Sequence, residues 1–280
     1  MYFDFALLHA GHIRFEEPYG YHDVSSTFSR ILFVREGHGR ASFGHEEHTL
    51  SPGQLYFVPP LLSHTIQSES MIDLCYVHFT DLSMKIFDHF HRYPYTLETP
   101  STPWDEQLLT HLLSLVPTFC LDDFYPVSYE APLKIKSCIK SFHSLPAASR
   151  LELNGLLHVL LSRFMDQNAS AASVSDIRVS KAIWTINRDL SEVPSLDELA
   201  ARACLTKNSF IRLFRLHTGF TPADYIMHRR IMHAQMLFLS GHHSVKEVAH
   251  LTGYDNLSYF DRIFKRLVGV TPLAFIQQNP

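Results

Sequence analysis

The 280-residue sequence has few cysteines, and no two of them form a CxxC pair; they are Cys75, Cys120, Cys138 and Cys204. This spacing excludes a disulfide framework and a cysteine zinc site. No apolar run reaches the roughly 18 residues needed to span a bilayer. The segment Met1–Phe5 also lacks the basic stretch that begins a signal peptide. We therefore expect a cytoplasmic protein with reduced thiols and no membrane association.

An excess of positive charge, the usual mark of a nucleic-acid-binding protein, is also missing, because the formal net charge is −4. The charge is unevenly distributed, however. Residues 176–280 contain 13 Lys and Arg against 9 Asp and Glu, a net of +4, and residues 1–175 contain 11 against 19, a net of −8. The C-terminal part can therefore neutralise phosphates, whereas the N-terminal part is repelled by them.

Residues 28–80 have the pattern of a β-domain. Short β-rich runs alternate with Gly and Pro turns at a spacing of about ten residues, which predicts a sandwich or barrel. The predicted strands are 28–35, 40–44, 47–50, 54–58 and 71–79.

Residues 82–168 change to a helical period, with helices predicted at 107–116, 135–142 and 151–165. The last of these has a strong apolar stripe. That stripe either forms a dimer interface or packs against its own domain, and the pattern leaves both open. The small polar segment that follows predicts a linker at 169–178.

The last hundred residues contain one unit written twice. Glu198 and Ala200 recur 49 positions later as Glu247 and Ala249. Past the turn the offset becomes 50, and the matching positions of the first copy are Phe210, Arg212, Phe214, Gly219, Thr221, Pro222 and Ile226. Such a repeat indicates a duplicated supersecondary unit. Each copy has the pattern of a helix, a turn and a second helix, at about 196–217 and 244–267.

Local signals support both copies. Ser195 with Glu198, and Ser244 with Glu247, have the spacing of capping boxes that begin a helix. Thr206 can cap the second helix of the first copy. Between the copies, residues 222–239 predict one long helix, a rigid spacer that would hold the two reading helices about one DNA turn, roughly 34 Å, apart.

The second helix of each copy buries Phe and Leu, so its opposite face carries polar and basic residues. Arg can bind guanine, Asn can bind adenine, and an apolar tip can contact a thymine methyl group, while Lys suits phosphates. The predicted DNA-binding residues are Lys207, Asn208, Ile211, Arg212, Arg215, Leu257, Ser258, Asp261, Arg262, Lys265 and Arg266.

Residues 179–280 resemble the DNA-binding domain of the AraC/XylS family of transcription regulators. The resemblance rests on a long string of matches that includes 212–215, 219–222, 253–254, 258–260 and 269–272. It implies an all-α domain with two helix-turn-helix motifs joined by a long helix, and it places Arg212 and Arg262 at base contacts.

The N-terminal strands resemble the cupin-type sensor domain that many members of this family carry. The matching features are Gly37-His-Gly39, Ser51-Pro-Gly53, 58–60 followed by His64, and 77–79. The resemblance implies an α+β two-domain protein with a cupin-like ligand-sensing barrel at 1–81, a helical dimerisation region at 82–168 and a DNA-binding domain from 179. Alternation and resemblance together give the ligand-binding candidates, which are Arg30, Glu36, His64, Tyr76 and His78.

A barrel of this type could also house a metal enzyme. Residues 1–80 contain no HxH motif, however, so we expect no metal, no cofactor and no catalysis. Two alternatives remain open: a metal-dependent cupin enzyme with an appended DNA-binding domain, and a ligand-free regulator controlled by a protein partner. The expected partners are double-stranded DNA, a small-molecule effector such as a sugar, a second copy of the chain and RNA polymerase.

Overall fold

The structure, a computed structural model, describes residues 3–92, 95–165, 176–241 and 243–277. They divide into two compact units, one drawn mainly from residues up to 165 and the other mainly from residue 176 onward. None of the helices in these ranges has the length and apolar character that crossing a bilayer requires. The predicted linker, 169–178, lies outside the described residues except for Asp176–Arg178, and these already begin a helix.

The N-terminal unit begins with eight strands: β1 Phe5–Phe15, β2 Tyr19–Val24, β3 Ser29–Gly37, β4 Gly39–Phe43, β5 Glu46–Leu50, β6 Gln54–Val58, β7 His64–Ser68 and β8 Ile72–Asp81. A ninth strand, β9 Glu98–Pro100, pairs with β6. The strands form two antiparallel sheets, in the orders β1-β8-β3-β6-β9 and β2-β7-β4-β5. The five predicted strands correspond to β3, β4, β5, β6 and β8. No strand was predicted over β1, β2, β7 or β9, and β9 lies within the region predicted to be helical.

Strand β8 lies between β1 and β3, and all ten of its residues are buried. A strand covered on both faces has no reason to alternate polar and apolar residues. Polar groups on β8 are therefore buried as well, among them Asp73 and His78. The strand consequently places polar side chains in the interior of the unit.

Five helices complete the N-terminal unit: α1 Ile86–Arg92, α2 Pro103–Leu115, α3 Pro126–Tyr129, α4 Pro132–His143 and α5 Ala147–Ser162. Helix α5 carries the apolar stripe that was offered as a dimer interface. Leu153, Leu157 and Leu160 are fully buried within the single chain, and Asn154 Nδ2 donates to the Phe5 carbonyl oxygen at 3.1 Å. The stripe therefore packs against its own unit, the second of the two alternatives that the pattern left open, and a dimerisation role for 82–168 stays a prediction.

The C-terminal unit is entirely helical over its described residues. Its helices are α6 Ile177–Arg188, α7 Leu196–Arg202, α8 Lys207–Thr218, α9 Pro222–Leu239, α10 Val245–Leu251, α11 Leu257–Val268 and α12 Pro272–Gln277. Both predicted capping boxes are present, at Ser195 with Glu198 and at Ser244 with Glu247. The spacer helix α9 has the predicted bounds.

Helix α9 joins the two copies of the repeat through its aromatic residues. Near its start, Tyr225 packs edge-on against Phe214 of α8, with ring centroids 5.5 Å apart. Near its end, Phe238 packs edge-on against Phe264 of α11 at 5.6 Å. An 18-residue helix is about 27 Å long. The second helix of each copy is thus fixed near an opposite end of a rigid spacer.

Candidate nucleic-acid interface and ligand site

The outward face of α8 is set by the burial of its other face, where Phe210 and Phe214 are fully buried. Lys207, Asn208, Arg212 and Arg215 are exposed, and Ile211 is half-buried. Lys207 Nζ forms an ion pair with Asp197 at 2.9 Å. The face therefore carries two arginines and an amide that can reach a DNA groove.

The outward face of α11 follows the same geometry, because Phe260, Ile263 and Phe264 form its buried face. Its exposed side chains are Leu257, Ser258, Arg262, Lys265 and Arg266. Asp261 is half-buried. One N–H of Arg266 is directed at Met227 Sδ, 2.7 Å away, so this arginine also contacts α9.

Tyr259 belongs to the α11 face, although sequence reasoning did not select it. It is 45% exposed, and the Arg262 guanidinium lies 5.2 Å from the centroid of its ring. Such a cation–π contact restricts the positions that the arginine side chain can take. On its other side, Tyr259 packs against Tyr254 with ring centroids 6.0 Å apart. In the sequence, the signal that could have identified Tyr259 is an aromatic residue one helical turn before Arg262, on the face predicted to be exposed.

Arg230 of α9 supports this row of side chains. Its guanidinium lies 5.5 Å from the centroid of the Tyr254 ring. It also donates to the carbonyl oxygens of Leu190 at 2.8 Å and Gly253 at 2.9 Å. The turn between α10 and α11 is therefore tied to the spacer helix and to the segment after α6.

In the N-terminal unit, Arg30 is the centre of a buried polar cluster. It is 2% exposed, and it donates to Ser26 Oγ at 2.6 Å and to Tyr129 Oη at 2.7 Å. It also forms an ion pair with Glu130. Because the charge is buried, these partners offset its loss of hydration.

Two of the histidines near Arg30 lie next to each other across β1 and β8. His9 pairs with His78 in register, and His78 pairs in turn with Arg30 of β3. Burial and the charge of Arg30 lower the pKa of His9 to about 4 and that of His64, on the opposite sheet, to about 3. The same causes hold the pKa of His78 well below its ordinary value. All three imidazoles are therefore neutral at pH 7.

Four of the five predicted ligand-binding residues lie in this buried cluster, and Glu36 does not. Arg30, His64, Tyr76 and His78 are buried in one region of the unit, with Tyr76 and His78 rings 5.4 Å apart. Tyr76 Oη accepts from the Leu121 N–H at 2.8 Å, and burial raises its pKa to about 12.

Glu36 does not join this cluster, which corrects its prediction as an inward residue. It is exposed and pairs with Arg14 at 2.8 Å. The register between β3 and β8 shifts between Val34 and Glu36. A bulge inserts one residue and so ends the simple alternation from which the prediction was made. His9 and Tyr129 are buried beside the cluster instead.

A metal centre would require several His, Cys, Asp or Glu side chains to converge on one point. Across the part of the chain that the structure describes, no group of three such side chains is arranged to hold a metal ion.

Two family matches agree with these two sites. The AraC-like ligand binding domain matches residues 2–82, and a helix-turn-helix domain matches residues 199–278. Together they define a transcription regulator with a ligand-binding domain and a DNA-binding domain. These two domains fit a regulator of the AraC/XylS family.

Two relatives match this chain over most of their length. The HTH-type transcriptional activator RhaS of Yersinia pseudotuberculosis is 24% identical over 264 residues, covering 91% of this chain and 87% of that protein. The HTH-type transcriptional activator RhaR of Mannheimia succiniciproducens is 22% identical over 263 residues, covering 93% and 88%. ToxT of Vibrio cholerae aligns over 98% of this chain and 98% of that chain, at 11% identity and a TM-score of 0.40. That score is too low to bear on function.

Proposed function

We propose that this regulator binds two successive segments of a DNA major groove, one through α8 and the other through α11. The observation that carries this proposal is the pair of matching exposed faces, with Arg212 on one and Arg262 on the other. The arginines suit guanine edges, and Lys265 suits phosphate. The two helices contact opposite ends of α9, as a reader of two adjacent sites requires.

Control by a small molecule is the second part of the proposal. The buried Arg30, His64, Tyr76 and His78 supply polar groups suited to a sugar or another polyhydroxylated molecule. A ligand would act by binding one state of the regulator more tightly than another. The regulator is a cytoplasmic homodimer that activates transcription with RNA polymerase and has no enzymatic activity of its own. The activator names of RhaS and RhaR support this direction of control.

Substitution of the two arginines tests DNA binding. Arg212→Ala or Arg262→Ala should cost about 1–3 kcal/mol on the preferred duplex, because each removes a bidentate base contact. Lys181→Ala is the matched control, since it removes one exposed positive charge of the same unit that lies on α6 rather than on α8 or α11. Fluorescence anisotropy with a labelled duplex measures all three. Wild-type affinity in both arginine variants would contradict this orientation of the helices.

A further inference from the structure

A pocket of about 360 Å³ lies in the N-terminal unit beside the Arg30 cluster. Its volume is within the range of small-molecule sites. Its lining includes His9 and Tyr129, which contact the cluster, and one face of α4. None of the residues selected from the sequence lines it.

The α4 wall has an unusual composition. Lys134, Ser137, Cys138 and Ser141 follow each other at i, i+3, i+4 and i+7, so they share one face of the helix. All four line the pocket. The helix is anchored by other positions, such as the buried Phe142. Helix α4 therefore presents hydroxyl, thiol and ammonium groups to a cavity.

On the side of the cluster, His9 offers a hydrogen-bonding atom that has no partner among the described residues. His9 is 8% exposed, and its Nε2 lies 3.3 Å from Cys138 Sγ. Its Nδ1 has no hydrogen-bond partner among the described residues. A buried polar atom without a partner is costly, and a ligand in the pocket could supply one. Because the ring is neutral at pH 7, it can both donate and accept a hydrogen bond.

The charged groups at the pocket define the ligand further. Asp123 is already bound by Ser128 Oγ and, at 3.1 Å, by the Tyr125 N–H. The hydrogen bond from Ser128 is the largest cause that lowers the pKa of the Asp123 carboxyl, and the charge of Lys134 adds to it. Lys134 is exposed, and its ammonium group can also bind a ligand carboxylate. Asp122 also lines the pocket and can accept from a ligand hydroxyl. One cation, two carboxylates and several hydroxyls line the pocket, and together they match an acid that carries several hydroxyl groups of its own.

We propose that this pocket binds a small hydroxylated carboxylic acid, such as a sugar acid, and that this acid is the effector of the regulator. The inference rests on the proposed function for its regulatory meaning. Arg30 is a poorer site for the acid, because its N–H groups already donate to Ser26, Tyr129 and Glu130. The small-molecule part of the proposed function is thereby narrowed, from the centre of the cluster to the pocket beside it.

Tyr129 connects the pocket to the cluster. Its ring lines the pocket and stacks on His78, with centroids 5.4 Å apart. Its hydroxyl accepts from Arg30. A ligand that moves Tyr129 therefore disturbs the hydrogen bonding of a buried charge. This contact gives the acid a route to the rest of the N-terminal unit.

The test uses the full chain with D-gluconate, D-galacturonate, L-malate and citrate at about 10 mM, roughly ten times a millimolar dissociation constant. D-glucose and D-galactose are the neutral counterparts. At least one acid should raise the midpoint of thermal unfolding, and the neutral sugars should not. Calorimetric titration then gives the dissociation constant for that acid.

Matched variants locate the site. Lys134→Met and Ser137→Leu should weaken binding of the acid at least tenfold, since one removes the cation and the other fills the pocket. Lys140→Met and Ser144→Leu are the controls, because both residues are exposed near the end of α4 and neither lines the pocket. Their affinity for the acid should equal that of the wild type.

Three results would overturn the inference: no stabilisation by any acid, stabilisation by the neutral sugars alone, or equal binding in all four variants. The last result would place the acid elsewhere and leave the regulator intact. Duplex affinity without ligand, measured on Lys134→Met, separates the two proposals. It should match the wild type, whereas failure of the DNA proposal would be seen in the Arg212 and Arg262 variants.

Discussion

At the scale of single residues, the buried cluster of the N-terminal unit holds one guanidinium, that of Arg30, among neutral imidazoles. Arg30, His64 and His78 are each at most 2% exposed. The Tyr129 ring lies 5.3 Å from the guanidinium, and the Glu130 carboxylate pairs with it. Protonating any of these histidines would put a second positive charge into the same buried region. The folded protein therefore resists protonation.

This resistance predicts how stability depends on pH. An ordinary histidine has a pKa near 6.5, so the unfolded chain takes up protons below about pH 6.5. The folded chain does not protonate His9 until about pH 4 or His64 until about pH 3. Stability should be fully present above about pH 6.5 and should fall as the pH decreases from there to about 3, the lower of the two folded pKa values. We expect a loss of about 1–2 kcal/mol per buried histidine at pH 5.

Urea unfolding at pH 7 and pH 5 measures this loss. His64→Gln should reduce the loss of unfolding free energy between pH 7 and pH 5 by the amount that one buried histidine contributes. His38→Gln should leave the difference unchanged, because His38 is exposed. A His64→Gln variant with the full wild-type dependence would show that this imidazole does not resist protonation.

Part of the cluster could be predicted from the sequence. Arg30, His64 and His78 were selected by strand alternation and by family resemblance, and all three are buried. Glu36 was misplaced because nothing local in the sequence reveals the bulge before it. Tyr129 was missed because it reaches Arg30 across 99 positions, from a one-turn helix. Alternation describes one strand, whereas the cluster is assembled from several elements.

At the scale of elements, the turn between α10 and α11 depends on one glycine. Gly253 has a φ of +79°, a left-handed conformation that side chains disfavour. A Cβ atom there would lie 2.6 Å from Arg230 Nη2 and 2.8 Å from the Ser191 carbonyl oxygen. The equivalent position of the first copy is Cys204, also left-handed at φ +54°. The turn therefore requires a left-handed residue in both copies. In the second copy it also requires a residue without a side chain, because Arg230 and Ser191 occupy the space.

Gly253→Ala should therefore destabilise the protein more than a strained φ alone would. Gly269→Ala is the control, because Gly269 has a φ of +87° with open space around it. Strain alone should cost about 1–2 kcal/mol in either variant. Displacing Arg230 from its carbonyl partners should add at least about 1 kcal/mol at Gly253. Urea unfolding compares the two, and equal losses would show that Arg230 adjusts without cost.

The helices of the repeat were more predictable than the strands. Capping boxes are local, so Ser195 and Ser244 could be identified directly as helix starts, and both are. Strand β7 pairs with β2 and β4, and β9 pairs with β6 across more than 40 positions. Short strands acquire their structure from such distant partners rather than from their own pattern. Strands β7 and β9 were not predicted because their own sequences do not reveal these distant partners.

At the scale of the whole molecule, charge is divided between the two parts of the chain. The segment from residue 176 has a net charge of +4, and the segment before it has −8. The basic part contains the two exposed faces that we propose to bind DNA, and the acidic part contains the polar cluster and the pocket. DNA should therefore attract the first and repel the second. This organisation was evident from the sequence, because duplication and charge are properties of the whole chain.

Selection of duplexes from a random library tests the central claim most directly. The account predicts a selected site with two boxes whose centres lie about 10 base pairs, one helical turn, apart. Arg212→Ala should select sites in which one box has lost its consensus, and Arg262→Ala should select sites in which the other has. A single box degraded by both variants, or no enrichment by the wild type, would contradict a regulator that reads DNA through α8 and α11.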